Sequence, residues 1–197
     1  MKTRRRVKEI TSYIRSSIVV LVLATIIEII VGSLLGEMFY HSYFPGILIL
    51  IPPMMELRGN ISSAFAAKLS TALHLGIVKP QLRHNTKKYK DDFYATIIII
   101  IIMPIILGSF VWIFCIIFNI PNIGLIFFIL IALLTSILAG SVMTIITILI
   151  SILTFKYGLN PDAIVVPILG FLGDILTIVI LYIVIGFLEI IGLGVII

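Results

Sequence analysis

Between Thr96 and Phe118 the chain reads TIIIIIIMPIILGSFVWIFCIIF, 23 residues without one charge. A helix needs about 20 mostly apolar residues to cross the hydrocarbon layer of a bilayer. A run this long and this apolar points across a membrane. Four further stretches accompany it. The first runs from Ser17 to Leu35, interrupted by Glu28, and the second, from Tyr43 to Leu75, carries a polar stretch in its middle. The last two cover Gly124 to Phe155 and Pro161 to Ile191. The expectation is an all-α, multi-pass integral protein of the cell membrane with five transmembrane helices. They are expected to form a single transmembrane domain over residues 1–197, without a soluble gating domain. Composition agrees: 61% of residues are hydrophobic and 12% charged, against about half and one quarter in soluble domains.

The placement of charge sets the orientation. The net charge of +5 is concentrated in MKTRRRVK at the start and KPQLRHNTKKYK in the middle. Both clusters flank apolar segments, as cytoplasmic loops facing anionic headgroups do, so lipid is the expected contact and nucleic acid is not. The short basic amino terminus, residues 1–15, is expected inside. Glu37, His41 and Tyr43 then fall outside, the loop holding Lys79, Arg83, Lys87, Lys88 and Lys90 inside, the Asn119–Asn122 turn outside and Lys156 inside. Five spans leave the carboxyl terminus outside. The first apolar segment continues to spanning length without a small-residue cleavage pattern, so it reads as a helix that stays attached. Cys115 is the one cysteine and reads as a buried, inert thiol.

Asn160-Pro161-Asp162 has the order of a helix start: cap, proline at the first helical position, acid in the first turn. Asp162 is therefore read as a helix-start carboxylate. Pro104 and Pro167 lie within spans and are expected to shape them.

Three acids fall within spans away from their ends: Glu28, Glu56 and Asp174. An ionised side chain at the bilayer centre costs about 2.5 to 3.5 kcal/mol on insertion scales, and such residues mark ion or substrate routes by default. Asp174 lies twelve residues beyond Asp162, about 18 Å of helix and past the midpoint of a ~30 Å core. No basic residue lies within a helical turn of it, and Gly170 and Gly173 permit another helix to approach. Two readings follow: a carboxylate facing a cation in a narrow conduit, or a neutral acid hydrogen-bonded in helix packing.

The polar stretch PPMMELRGNISSAF, Pro52 to Phe65, admits two readings as well. The prolines and Gly59 are expected to loosen the helix, and irregular backbone at membrane depth belongs where protein buries it or water lines it. Freed carbonyls and Asn60 would then supply neutral oxygens. Glu56 and Arg58, two apart, do not share a helix face. Arg58 is expected to pair with Glu56 or Glu28 of a neighbouring segment, while Glu56 is open between that role and the ion route. Glu28 is the expected counter-charge of Arg58 or Lys68; Lys68 can snorkel to the inner interface, and His74 reads as interfacial. Thr135, Ser136, Ala139, Gly140 and Ser141 give the fourth span a small-residue face for packing.

Two motifs together carry a family resemblance. The second span has Pro52-Pro53-Met54-Met55-Glu56-Leu57-Arg58-Gly59-Asn60, followed by Lys68-Leu69-Ser70-Thr71-Ala72. Later come Asn160-Pro161-Asp162 and Pro167-Ile168-Leu169-Gly170-Phe171-Leu172-Gly173-Asp174. In this order they resemble the membrane domain of the MgtE magnesium transporters, with most likeness to the family's eukaryotic solute-carrier relatives. The resemblance implies a homodimer with one pore on its two-fold axis. In it, the carboxylate matching Asp174 faces the pore from both subunits and holds hydrated Mg²⁺. The position matching Gly59 gives a backbone oxygen, and the Gly59-Asn60 segment lines the route through Ser63. The eukaryotic relatives carry two five-helix repeats in one chain; this sequence has one, so two copies are expected. Glu56-Leu57-Arg58 stands where bacterial members have a glycine-rich run. Val166 stands where the family has an asparagine before the fifth-span proline, and no counterpart of the cytoplasmic gating domains of bacterial members is expected.

Magnesium fits these residues. It keeps an octahedral shell, sheds water reluctantly and binds through one or two carboxylates. Two Asp174 side chains, Glu56, Asn60 and backbone oxygens suit that outer-sphere pattern. Mn²⁺, Co²⁺ or Ni²⁺ with similar shells are expected to follow. Two rivals are an intramembrane metal-dependent enzyme, for which HExxH, GxSxG and clustered acids are absent, and a scaffold subunit that transports nothing. The chain is expected not to be an enzyme.

Overall fold

The computed structural model describes residues 18, 22, 25, 26, 28–33, 35, 36, 46–81, 85–157 and 161–191, with 161–164 as backbone only. The expectations at residues 1–15, Glu37, His41, Tyr43, Arg83 and the Asn160 cap lie outside the described residues. So does the side chain of Asp162.

All described elements are α-helical. They are α1 (Ile47–His74), α2 (Lys87–Ile117), α3 (Leu125–Lys156) and α4 (Pro161–Ile190); residues 28–33, within the first expected span, are helical too. Three stretches are long and apolar enough to cross a membrane: Lys87–Ile117, Leu125–Lys156 and Val165–Ile190. At 28 residues α1 has the length but carries the polar stretch.

Two boundaries differ from expectation. The α1 helix runs unbroken through Pro52 and Pro53, because the prolines sit in its second turn. Only the carbonyls of Leu48 and Ile49 lose their helical donors there, so the expected irregular backbone does not form. The α2 helix starts at Lys87, nine residues before Thr96. Its charged first turns are held by Lys88 Nζ on Asp92 Oδ1 at 2.8 Å, a helical i,i+4 pair. Thr96 Oγ1 donates to Asp92 O at 2.8 Å. The basic loop before α2 is tied by Asn85, whose Oδ1 accepts from Lys79 N and whose Nδ2 donates to Lys79 O.

The core is parted into clusters. Near one end Leu50, Ile51, Met54, Cys115, Phe128, Ile131 and Leu181 pack together, and Cys115 is fully buried there. Toward the end with the basic loop, Phe65, Leu69, Leu73, Ile148 and Ile152 form another. Ala66, Met143, Val165 and Leu169 join α1, α3 and α4. Between them lies a buried polar layer of Arg58, Thr135, Ser136 and Thr177.

The α2–α3 contact is close. A Cβ at Gly108 would lie 2.9 Å from backbone atoms of Phe128 and Ile129, and one at Gly140 would lie 3.0 Å from Ile100 Cγ2. Pro104 lacks the N–H that would reach the Ile100 carbonyl; Ser136 Oγ of α3 donates to it instead, at 2.9 Å. Thr135, Ser136, Ala139 and Gly140 are the buried small face foreseen in the sequence, whereas Ser141 is exposed. Gly46, with φ +79°, opens α1 where a Cβ would meet Phe128 Cζ at 3.1 Å and Pro121 O at 3.2 Å.

Candidate functional site

Helices α1 and α4 run antiparallel. Ile51 shares a cluster with Leu181 and Val184, and Ala66 with Val165 and Leu169. Between these contacts, near the middle of both helices, a cavity of about 480 Å³ opens, and Pro52, Glu56, Gly59, Gly170, Asp174 and Leu35 are among the residues that line it. A Cβ at Gly59 or Gly170 would meet nothing within 4 Å. These glycines bare the backbone to open space instead of admitting a neighbouring helix. Gly173 is the packing glycine, with its would-be Cβ 3.6 Å from Met143 Cε and 4.0 Å from Arg58 Cζ.

Asp174 is half-buried at the cavity wall. Its carboxyl has the Glu28 side chain within hydrogen-bonding reach and feels the charges of Glu28, Arg58 and Glu56. Glu28 thus lies beside Asp174, and among the described residues no ion pair joins it to Arg58 or Lys68. Glu56 is exposed to the cavity, and its Oε1 accepts from Asn60 Nδ2 at 2.9 Å. Of the residues singled out in the sequence, Asp174, Glu56 and Gly59 therefore share one cavity, and Asn60 is attached through Glu56. Ser63 lies one turn further along α1, half-buried and outside the cavity lining. In the unbroken helix the Gly59 carbonyl has Ser63 N–H as its i+4 donor; its second lone pair is still an acceptor.

Arg58 faces the other way. Residues two apart differ by about 200° around a helix, so with Glu56 on the cavity Arg58 enters the interior, where it is 5% exposed. Its Nη2 donates to the Gly173 carbonyl, which also accepts from Thr177 Oγ1 at 2.7 Å. Among the described residues, Nε and Nη1 of Arg58 and Oγ1 of Thr135 have no hydrogen-bond partner. These residues, with Ser136 and Thr177, line a small cavity of about 10 Å³, room for about one water. The expected pairing of Arg58 with Glu56 or Glu28 does not occur. Sequence gave no sign of the acceptor, since a backbone carbonyl carries no residue signature.

Along α1, Glu56, Asn60, Ala64, Ala67, Lys68 and Thr71 form an exposed polar and small-residue stripe. Lys68 and Lys88 line a shallow cavity of about 380 Å³ beside the basic loop. His74 contacts Ser70 O through Nδ1 at 3.0 Å and sets its ring edge-on to Phe155. Among the described residues no three His, Cys, Asp or Glu side chains converge closely enough to hold a metal ion.

A family model described as MgtE, divalent cation transporter, matches residues 51–184. The match spans the chain from the first turns of α1 to the last turns of α4 and includes both walls of the cavity. No solved structure matches the chain.

Proposed function

Since the chain belongs to the MgtE family of divalent cation transporters, we propose that it carries Mg²⁺ in preference to other dications, through a water-filled path between two copies. In this reading the Asp174 carboxylates of both copies meet across a two-fold axis and hold the ion with its water shell. Glu56, the Gly59 carbonyl, Asn60 and Ser63 line the route on α1. The five-span arrangement with the amino terminus inside belongs to the same proposal.

One observation carries it. At mid-helix in a multi-pass protein, Asp174 and Glu56 face a cavity of about 480 Å³ whose wall includes two positions without side chains. Charged groups at that depth are costly unless they meet water or each other. The exposed stripe on α1 adds support. Glu56, Asn60, Lys68 and Thr71 are poor partners for lipid tails, and a second copy laid along them with water between removes that cost. Magnesium is favoured because one or two carboxylates and retained waters satisfy it; Mn²⁺, Co²⁺ and Ni²⁺ follow through similar octahedral shells.

Purified protein in liposomes should pass Mg²⁺ saturably, and Asp174→Asn should abolish the flux while helix content and insertion are retained. Wild-type flux through that variant would remove Asp174 from the path.

A further inference from the structure

We infer that Arg58 is a positioning and affinity-setting residue: its guanidinium, docked on the Gly173 carbonyl, is a fixed internal cation that loosens the hold of Asp174 on the dication so that the ion can leave. This rests on the reading of Asp174 given above.

The contact is placed for that task. The Gly173 carbonyl and the Asp174 nitrogen belong to one peptide unit, so Arg58 grips the backbone immediately before the carboxylate. The guanidinium packs against Gly173 itself, with Arg58 Cζ in van der Waals range, 4.0 Å from where a Cβ would stand. Glu56 and Arg58 lie on opposite sides of α1, so an ion in the large cavity does not meet the guanidinium directly. It feels the charge through the interior, where the dielectric is low and a unit charge reaches further than in water. Asp174 and Arg58 act on each other in this way.

The charge is also unspent. A guanidinium in contact with a carboxylate presents little field beyond the pair. Arg58 instead donates to a neutral carbonyl, and its Nε and Nη1 have no partner among the described residues. Its full positive charge therefore acts on the neighbourhood. Three carboxyl groups, Glu28, Glu56 and Asp174, lie on the other side of the balance. A dication at Asp174, drawn also by the charges of Glu28 and Glu56 with no opposing cation, would bind tightly and leave slowly, whereas conduction needs a site weak enough to release its ion.

The test is Mg²⁺ flux into liposomes as a function of concentration. Arg58→Met keeps volume and removes charge; it should lower the half-saturating Mg²⁺ concentration by about tenfold, in the range of ordinary site-to-site coupling, and lower the maximal rate. Arg58→Lys, which keeps the charge, should stay near wild type in half-saturation. A purely structural Arg58 predicts otherwise: less folded protein or a lower maximal rate, with half-saturation unchanged or raised, and that result overturns the inference. Should Arg58→Met not fold, Thr135→Asp decides. It sets a carboxylate into the small cavity beside Nε and Nη1, cancels the field with Arg58 in place, and should lower half-saturation likewise; unchanged half-saturation overturns the inference. Asp174→Asn in the same assay separates the two ideas. If it leaves saturable flux intact, the pore reading fails. If it abolishes flux while charge removal at Arg58 leaves half-saturation alone, only the role of Arg58 fails.

Discussion

Ser136 Oγ donates to the carbonyl oxygen of Ile100 at 2.9 Å, and that oxygen is the acceptor Pro104 leaves without a helical donor. A break in one helix is thus mended by the next. Ser136→Ala should cost about 1 kcal/mol, the usual worth of a buried hydrogen bond in water and the upper part of the range in membranes. Pro104→Ala restores the N–H, and in that background Ser136→Ala should cost little. A double-mutant cycle on unfolding in mixed detergent measures the coupling; additive effects would show that the two residues act independently.

Gly108 and Gly170 should respond oppositely to alanine. At Gly108 the new methyl meets helix backbone at 2.9 Å, which cannot swing aside, and overpacking of this kind costs about 1 to 3 kcal/mol. At Gly170 nothing lies within 4 Å, so Gly170→Ala should fold as wild type. Thermal unfolding of the two purified variants makes the comparison.

Glu56 and Asp174 share a cavity but not a setting. Asp174 is half-buried with Glu28 at its side, while Glu56 is exposed and tied to Asn60. Glu56→Gln keeps the Asn60 hydrogen bond and should slow Mg²⁺ flux only a few-fold, as expected for a lost long-range charge in a wet site. Asp174→Asn should stop it. Equal loss in both variants would place the two acids in one ligand set.

The exposed stripe on α1 makes a prediction about assembly. In a Cys115→Ala background, Ala67→Cys should cross-link two copies under mild oxidation in the membrane, because Ala67 is exposed on the stripe. A cysteine at Val111, buried inside one chain, should not. Failure of Ala67→Cys to cross-link at any protein density would count against pairing along this face.

Cys115 is fully buried between Ile47, Phe128 and their neighbours. The native protein should resist a membrane-permeant maleimide and react with one equivalent only after denaturation. Mass spectrometry reads the outcome directly.

The spans that are apolar throughout were legible to within a residue or two at the carboxyl ends of α2, α3 and α4, since length and hydropathy alone define them. The start of α2 was not. KKYKDDFYA looks like loop by charge, and only the Lys88–Asp92 pair at helical spacing hints otherwise. The proline pair in α1 suggested broken backbone, yet prolines in a second turn leave two carbonyls without donors and the rest of the helix intact. Asp174 and Glu56 could be singled out because acids at membrane depth are rare, and Gly59 through the family resemblance; the structure brings the three to one cavity. The acceptors of Arg58 and Ser136 could not be read, because both are backbone carbonyls of other helices.

The tight seam between α2 and α3 has a mechanical consequence. With Gly108 against bare backbone and Ser136 and Gly140 both closed on Ile100, that hairpin is a rigid seam. Helices α1 and α4 instead border open volume at Gly59 and Gly170, and beside that space they are pinned together where Arg58 docks on the Gly173 carbonyl.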